Sequence, residues 1–208
     1  MKHIPLLLVL GLALSLCNLT KRLTSKTEES NKPASSSGAT GAAVERPEPT
    51  AAQTAALAGG QSVNWDKQGM SWTLPPKWTK ATDELKTFSY LAPRSGDTVS
   101  LNVDISTMDE SFPTEISLNA FYDQAKTRAK NGEVDQLKWL EIDGLKGVQF
   151  RESNPEKPDG FRRLQWLAYR KYAGQVQMVN LMLATTGKEF PKHQDAMYGI
   201  LYSTKIVH

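Results

Sequence analysis

The chain has 208 residues, with 25 Lys and Arg against 22 Asp and Glu, one Cys and three His. A single Cys excludes a disulfide scaffold and a Cys-rich zinc module. His193 is the one His within the aromatic-containing part, which argues against a His-based metal cluster or a Ser-His-Asp triad. Every aromatic residue lies between Trp65 and Tyr202, so the hydrophobic core is expected in residues 61–208, a length that folds without disulfides or metal.

The charge pattern gives no sign of nucleic-acid binding. Residues 61–208 carry 19 basic and 18 acidic residues, and the remaining basic excess lies in the first 60 residues. Arg162-Arg163 and Arg170-Lys171 are the only adjacent basic pairs in that segment, whereas a nucleic-acid-binding domain shows a basic stripe. We therefore expect both pairs on a solvated strand face, and no nucleic-acid partner.

Residues 1–16 predict a signal peptide for export. A short basic start is followed by an apolar run from Ile4 to Leu16, which is shorter than the ~20 residues that a transmembrane helix needs. Leu14-Ser15-Leu16-Cys17 resembles a bacterial lipobox, in which the Cys becomes the first mature residue and is acylated. Cys17 is therefore the predicted lipid attachment site.

The residue before Cys17 leaves alternatives open. Leu16 departs from the Gly, Ala or Ser that is usual there, and cleavage after Ser15 would instead give a soluble secreted protein. An uncleaved membrane anchor is a third form. Residues 17–60, rich in Ser, Ala, Pro and Gly and without aromatics, predict a disordered tether, because such a composition buries too little apolar surface to fold.

The remaining segment, 61–208, alternates short strands with two helices. Strands are predicted at 70–74, 86–91, 98–106, 136–142, 145–152, 162–172, 175–185 and 203–207. The segment 98–106 alternates apolar and polar residues, as a half-buried strand does, and the turn before it is predicted at 94–97. Asp143-Gly144 and Ala173-Gly174 separate apolar runs and predict tight hairpin turns.

Two helices complete the predicted α+β fold. The first is expected to begin with Ser117 as N-cap and to end at Asn131-Gly132, and the second spans 188–201 with Phe190 and His193 on its apolar face. Hairpin-linked strands with two helices indicate an antiparallel β-sheet with both main helices packed on it. The last long strand, apolar on both faces from 176 to 183, is expected in the centre of the sheet.

Two short phrases resemble a known family. Residues 69–78 read G-M-S-W-T-L-P-P-K-W and resemble the opening of PsbP-like and DcrB-like domains, and residues 200–203 resemble their ending. The resemblance covers about 62–207. It implies a PsbP-like α-β-α sandwich with Trp78 beneath the sheet. It also implies binding or assembly roles without shared catalytic residues, since members include a photosystem II extrinsic subunit, a bacterial envelope lipoprotein and a Ran-binding protein.

Few residues suggest a catalytic or metal-binding site. Asp104, Asp109 and Glu110 lie close in sequence but lack the register of a calcium loop, so a solvated strand end is expected. His193 is expected to be packed at the rim of the core. The sequence contains no P-loop, no dinucleotide-binding G-x-G-x-x-G motif and no G-x-S-x-G nucleophile elbow. We accordingly predict no enzyme, and no catalytic, cofactor-binding or metal-binding residue.

Two features could belong to a binding surface. Five Trp residues are present, of which most are expected in the core, and Trp65 is the best candidate for exposure because it precedes the first confident strand. The face occupied by Trp139 is left open. The polar segment 154–160 is either a recognition loop or, as we favour, a plain hairpin connection.

The leading hypothesis is an exported, lipid-anchored, non-catalytic domain that binds an envelope protein or assists assembly in the bacterial cell envelope. Its expected location is the cell membrane or the outer membrane, facing the periplasm, or otherwise the periplasm or the medium. The alternative is a carrier that holds a small ligand or cation in a cleft between sheet and helix, for which a deep pocket with convergent polar groups is required. An enzyme of unfamiliar type is the third possibility.

Overall fold

The strands and helices of the chain follow one another largely as hairpins. The computed structural model describes residues 43–93 and 98–207. The strands are β1 (Val44–Glu45), β2 (Gln61–Trp65), β3 (Met70–Leu74), β4 (Thr79–Asp83), β5 (Thr87–Leu91), β6 (Ser100–Met108), β7 (Val134–Ile142), β8 (Leu145–Glu152), β9 (Phe161–Tyr172), β10 (Gln175–Thr186) and β11 (Lys205–Ile206). The helices are α1 (Ala51–Ala56), α2 (Thr114–Lys130) and α3 (Phe190–Tyr202).

These strands form two sheets. The large sheet has the order β1-β7-β8-β9-β10-β6-β5-β4, and every neighbouring pair is antiparallel except β1 with β7. The small sheet has the order β11-β3-β2. The predicted fold class, α+β with an antiparallel sheet and two main helices, is confirmed, and β10 lies within the sheet between β9 and β6 as predicted.

The two predicted hairpin turns are present and use the backbone that such turns demand. Asp143 and Gly144 have φ values of 47° and 82°, and Ala173 and Gly174 have values of 50° and 76°. Positive φ at both central residues is typical of the tight turn whose twist matches the flanking strands. The Asp143 carboxylate also accepts the backbone N–H of Ile206 at 2.7 Å, so this turn holds β11 in place.

The larger core lies between one face of the large sheet and a layer made by the small sheet, α3 and α1. Trp65 and Trp72 both stack on Phe88, with ring centroids 5.4 and 5.2 Å apart. Trp65 is 0% exposed, which corrects the expectation that it was the best candidate for exposure. The reason is β2, which the sequence analysis missed and which carries Trp65 into the core. Trp78 is buried, as the family resemblance implies.

Helix α2 forms the smaller core on the opposite face. It lies against β7, β8 and β9, and its Tyr122 stacks on Trp139 with centroids 4.6 Å apart, which settles the face of Trp139. The helix begins three residues before the predicted Ser117 cap, because the Ser117 hydroxyl instead bonds the Tyr169 hydroxyl at 2.8 Å. Its end is as predicted, since Gly132 has φ 77° and closes the last turn.

Ordered structure begins before the predicted boundary at residue 61. Among the described residues, β1 pairs with β7 and α1 packs on α3, so both belong to the same compact unit as the later strands. A capping box at Thr50 and Gln53 starts α1, and Leu57 packs against the larger core. Composition misled the prediction because this segment contributes few apolar side chains of its own and is ordered by surfaces far along the chain.

Some predicted features lie outside the described residues. These are the signal peptide 1–16, the attachment residue Cys17, the tether as far as residue 42 and the turn at 94–97. Among the helices that the structure does describe, none combines the length and the apolar character that crossing a membrane requires.

Candidate functional site

Part of the large sheet is uncovered on the α2 side. A helix is about 10–12 Å wide and strands lie about 4.8 Å apart, so one helix covers two or three strands. Helix α2 occupies β7, β8 and β9, and no described helix packs against the same side of β6 and β5 or the second half of β10. The burial pattern shows the result, because residues of β6 alternate between fully buried and half-buried positions.

We call this uncovered area the open face. Its side chains come from alternate positions of four neighbouring strands and comprise three amides, two hydroxyls, one thioether and one carboxylate, all half-buried except the buried Ser89. They are Gln165, Asn180, Met182, Asn102, Asp104, Ser89 and Ser100. The strand β10, predicted to be apolar on both faces and central in the sheet, is central but places the half-buried Asn180 and Met182 on the open face.

Two hydrogen bonds, one between β9 and β10 and one within β6, hold amides of the open face in place. Gln165 Nε2 donates to Asn180 Oδ1 at 2.6 Å, and Asn102 Nδ2 donates to Ser100 Oγ at 2.9 Å. Each amide retains further donor and acceptor capacity after these bonds. Asp104 is the one ionisable residue among the seven that define the open face. The seven side chains are therefore mostly hydrogen-bonding and, apart from Asp104, uncharged.

Five clefts of the described surface enclose about 190–250 Å³ each. Sites for small ligands and cofactors are typically about 300–1,000 Å³. The cleft between α2 and the sheet, lined by Phe121, Arg128, Phe150 and Gln165 among others, is about 200 Å³ and borders the open face.

Two arginines of β9 are buried, which corrects the expectation that both basic pairs lie on a solvated face. Arg162 is 6% exposed and Arg170 is 7% exposed, while their neighbours Arg163 and Lys171 point to the other side of the strand. Strand parity explains the difference, since alternate residues face the larger core. The signal was present in the sequence, because both arginines share parity with the apolar residues of the strand.

The two buried arginines have different partners. Arg162 forms an ion pair with Asp135, donates from Nε to the Glu152 carbonyl at 2.8 Å and lies 4.1 Å from the Phe190 ring centroid. Arg170 instead bonds only neutral groups of Gln177 and Gln68. Burial lowers the pKa of Arg170.

Two tyrosines of α3 are also affected by burial. Burial raises the pKa of Tyr198, whose hydroxyl donates to Gln136 Oε1. Burial likewise raises the pKa of Tyr202 to about 12. Both rings lie on the side of α3 that faces the sheet, and their centroids are 5.7 Å apart.

The residues that the sequence offered as candidates for metal binding or catalysis do not lie together in the structure. Asp104 lies on the open face, whereas Asp109 and Glu110 are exposed at the end of β6, and Glu110 is 3.8 Å from Lys171. His193 is half-buried in the first turns of α3. Within residues 43–93 and 98–207, no three His, Cys, Asp or Glu side chains are grouped as a metal site requires.

The loop at 154–160 is anchored to the end of β10. The backbone N–H of Lys188 donates to the Pro158 carbonyl at 3.0 Å, and the Lys188 ammonium lies 2.6 Å from the Asp159 carboxylate. Gly187 allows this packing, because a Cβ there would lie 2.6 Å from the ring of Pro155. These contacts agree with a plain connection.

Comparison with known proteins gives similarity at the level of fold. No protein-family model matches the chain, and no curated protein sequence matches it. Among solved structures, LpqN of Mycobacterium tuberculosis, described as involved in cell envelope biogenesis, is 15% identical with a TM-score of 0.49 over 72% of this chain and 91% of LpqN. Cyanobacterial PsbP of Synechocystis is 11% identical with a TM-score of 0.46, over 71% of this chain and 92% of PsbP.

A third similar structure is longer than this chain. It comes from Bacteroides thetaiotaomicron and is 8% identical with a TM-score of 0.43, and the similarity covers 67% of this chain but only 46% of that one. A PsbP structure is thus among the similar solved structures, in agreement with the PsbP-like resemblance of the sequence.

Proposed function

We propose that this chain is an exported, lipid-anchored, non-catalytic domain that binds a protein partner in the bacterial cell envelope. The observation that supports the binding role is the open face, an area of the sheet that α2 leaves uncovered and whose seven side chains are, apart from Asp104, uncharged. Export and anchoring are supported by the sequence alone, through the apolar leader and Cys17.

The chemistry of the open face indicates what kind of partner it fits. Its amides are held by side-chain hydrogen bonds, one across β9 and β10 and one within β6, so little side-chain freedom is lost when a second surface docks. Met182 supplies an adaptable apolar contact at its centre. A folded protein with an uncharged, hydrogen-bonding surface matches these groups, whereas a strongly charged partner does not.

The alternative function, a carrier of a small ligand or cation, has less support. The cleft between α2 and the sheet is about 200 Å³, below the usual range for drug-sized ligands, and the larger core is filled by stacked aromatic rings. A filled core beside an uncovered area of sheet is the arrangement expected of an assembly or adaptor domain.

The test is site-directed cross-linking in the native cell envelope. A photo-reactive amino acid is placed at Asn180 on the open face and, as a matched control, at Lys126 on the exposed side of α2. We expect one dominant protein adduct from position 180 and none from position 126. Mass spectrometry identifies the partner, which is then purified.

Binding of that partner must depend on the open face. We expect Met182→Lys to weaken binding at least tenfold, a loss of about 1.4 kcal/mol, because it places a charge in a desolvated contact. The variant Lys126→Glu should bind like wild type. Equal adducts from both positions, or an unchanged affinity of Met182→Lys, would refute the proposed face. A small molecule that co-purifies with no protein adduct would favour the carrier.

A further inference from the structure

Arg170 is a buried cation for which the described residues supply no anion. Its Nε donates to Gln177 Oε1 at 3.1 Å, and its Nη2 donates to the Gln68 carbonyl at 2.7 Å and to Gln68 Oε1 at 3.0 Å. Its Nη1 is buried and has no partner. The Tyr172 ring lies 4.3 Å from Cζ and covers one side of the guanidinium.

Such an arrangement is costly without an anion nearby. A guanidinium keeps its charge in a protein, and a buried charge is tolerated when an opposite charge compensates for its lost hydration. Arg162 satisfies that rule through Asp135, so the same strand contains a paired and an unpaired example. The contrast indicates that the compensating charge for Arg170 comes from outside the described chain.

A cleft of about 210 Å³ lies directly beside the partners of Arg170, and its size restricts it to a molecule smaller than the drug-sized ligands of typical pockets. Gln68 and Gln177, which both accept hydrogen bonds from the guanidinium, form part of its wall. Lys67 and Lys86 are also lining residues, and none of the nine lining residues is acidic. Lys67 is already engaged by Asp83, but no described carboxylate pairs with Lys86. The cleft is therefore positive.

Gln177 connects the buried charge to the cleft. Its Oε1 faces the Arg170 donor, so its Nε2 must point away and is left as a donor, and no described group accepts from it. A guanidinium that donates to an amide oxygen polarises the amide and strengthens the donor on its other end. The positive charge of Arg170 thus acts on the cleft through the polarised side-chain amide of Gln177.

We propose that this cleft binds a small monocarboxylate with an apolar body. The carboxylate accepts from Gln177 Nε2 and from the Lys86 ammonium, while Leu85 and Tyr172, which also line the cleft, contact the apolar body. The two donors match the two oxygens of one carboxylate. Phosphate sites, in contrast, usually combine several backbone N–H groups or a forked Arg.

This site is independent of the proposed function. Arg170 and Gln177 lie on the side of the sheet that faces the larger core, opposite the open face. A failure to bind carboxylates therefore leaves the protein-binding proposal untouched, and loss of partner binding by an open-face variant leaves the carboxylate site untouched.

The experiment is a titration of the wild-type protein with benzoate, followed by NMR of the side-chain amides and by calorimetry. Benzyl alcohol has the same ring without the charge, and inorganic phosphate is an anion without the ring. Ionic strength is held constant, because exposed charges are screened by salt. We expect benzoate to bind with a shift of the Gln177 Nε2 signals and the other two probes to bind at least tenfold more weakly.

Two variants locate the site. We expect Arg170→Met and Lys86→Met each to weaken benzoate binding about tenfold, equivalent to about 1.4 kcal/mol, whereas Arg162→Met, which removes an equally buried but paired arginine, leaves it unchanged. If Arg170→Met does not fold, the test rests on the Gln177 amide shifts of the wild-type protein and on the affinity of Lys86→Met for benzoate. Equal binding of phosphate overturns the carboxylate class, and equal binding of benzyl alcohol overturns the role of the charge. The absence of benzoate binding overturns the site itself.

Discussion

At the residue scale, similar burial has opposite consequences for two arginines of β9. Arg162 and Arg170 are both almost fully buried, but Asp135 compensates only the first. Removing one member of a buried ion pair leaves the other without its partner, whereas removing an uncompensated charge also removes its desolvation cost. The energetic role of a buried arginine is therefore set by its neighbours.

We expect Arg162→Met to lower the free energy of unfolding by about 3 kcal/mol, because Asp135 loses a partner and the Glu152 carbonyl loses a donor. The size is at the lower end for a buried pair, since Asp135 keeps Arg151 at 2.6 Å. Arg170→Met should change stability by less than about 1 kcal/mol, or increase it. Urea denaturation of both variants measures the difference. Equal destabilisation by the two substitutions would contradict this account.

Tyr202 makes stability sensitive to alkaline pH. Burial raises its pKa to about 12 from the model-compound value of 10.0, so the folded state binds the phenolic proton more tightly than the unfolded state does. This contribution is fully present below pH 10 and is lost progressively as the pH rises towards 12. Tyr198, whose pKa is also raised by burial, acts in the same direction.

We expect Tyr202→Phe to unfold at nearly the same urea concentration as wild type at pH 8 and at a higher one at pH 11, because phenylalanine has no proton to lose. The comparison of the two midpoints at each pH is the measurement. A variant that loses stability in parallel with wild type between pH 8 and pH 11 would show that Tyr202 does not titrate in this range.

At the element scale, α1 is a six-residue helix that could not form alone, since isolated helices need about 12–15 residues. Its stability comes from α3, where Gly199 permits close approach. A Cβ at Gly199 would lie 2.9 Å from the Gln53 carbonyl oxygen and 3.2 Å from Leu57 Cδ1. Gly199 of α3 therefore provides the space that α1 needs in order to pack on α3.

We expect Gly199→Val to detach α1 and to make residues 50–60 sensitive to limited proteolysis, with a loss of about 1–3 kcal/mol in stability from overpacking. Thr50→Ala weakens the same helix from its other end by removing the capping box, and it should increase cleavage at the same sites. Unchanged cleavage in Gly199→Val would mean that α1 does not depend on α3.

At the scale of the whole molecule, the two faces of the large sheet differ in how much is covered. One face is closed by the small sheet, α3 and α1, and the other is covered by a single helix over three of its strands. The uncovered remainder is the open face, and it is where we place the partner. The lipid anchor, if formed, restricts that partner to the membrane surface.

We expect Cys17→Ser to move the protein from the membrane fraction to the soluble fraction, because acyl chains on that residue would supply the membrane affinity. Ser15→Ala is the matched control, since it changes the leader but keeps the attachment residue. Fractionation and mass spectrometry of the N-terminal peptide measure the outcome. A wild-type protein that is soluble, or membrane-bound without acylation, would refute the anchor.

Much of the fold was predictable because it depends on local patterns. The alternation along β6, the paired turn residues at 143–144 and 173–174, and the glycine that ends α2 each act within a few residues of sequence. These features predicted the longer strands, their antiparallel pairing and the α+β class, whereas β1, β2 and β4 were missed. Composition likewise located the aromatic core between residues 65 and 202.

The tertiary structure decided what local patterns cannot. The sequence could not show that α2 covers three strands and leaves an open face, since helix width and strand spacing matter only once the layers are assembled. Nor could it show that residues 43–60 are ordered by α3 and β7, or that Arg170 is buried beside neutral amides while Arg162 finds Asp135. Each of these depends on contacts between residues far apart in the chain, so they are fixed by packing and not by local propensity.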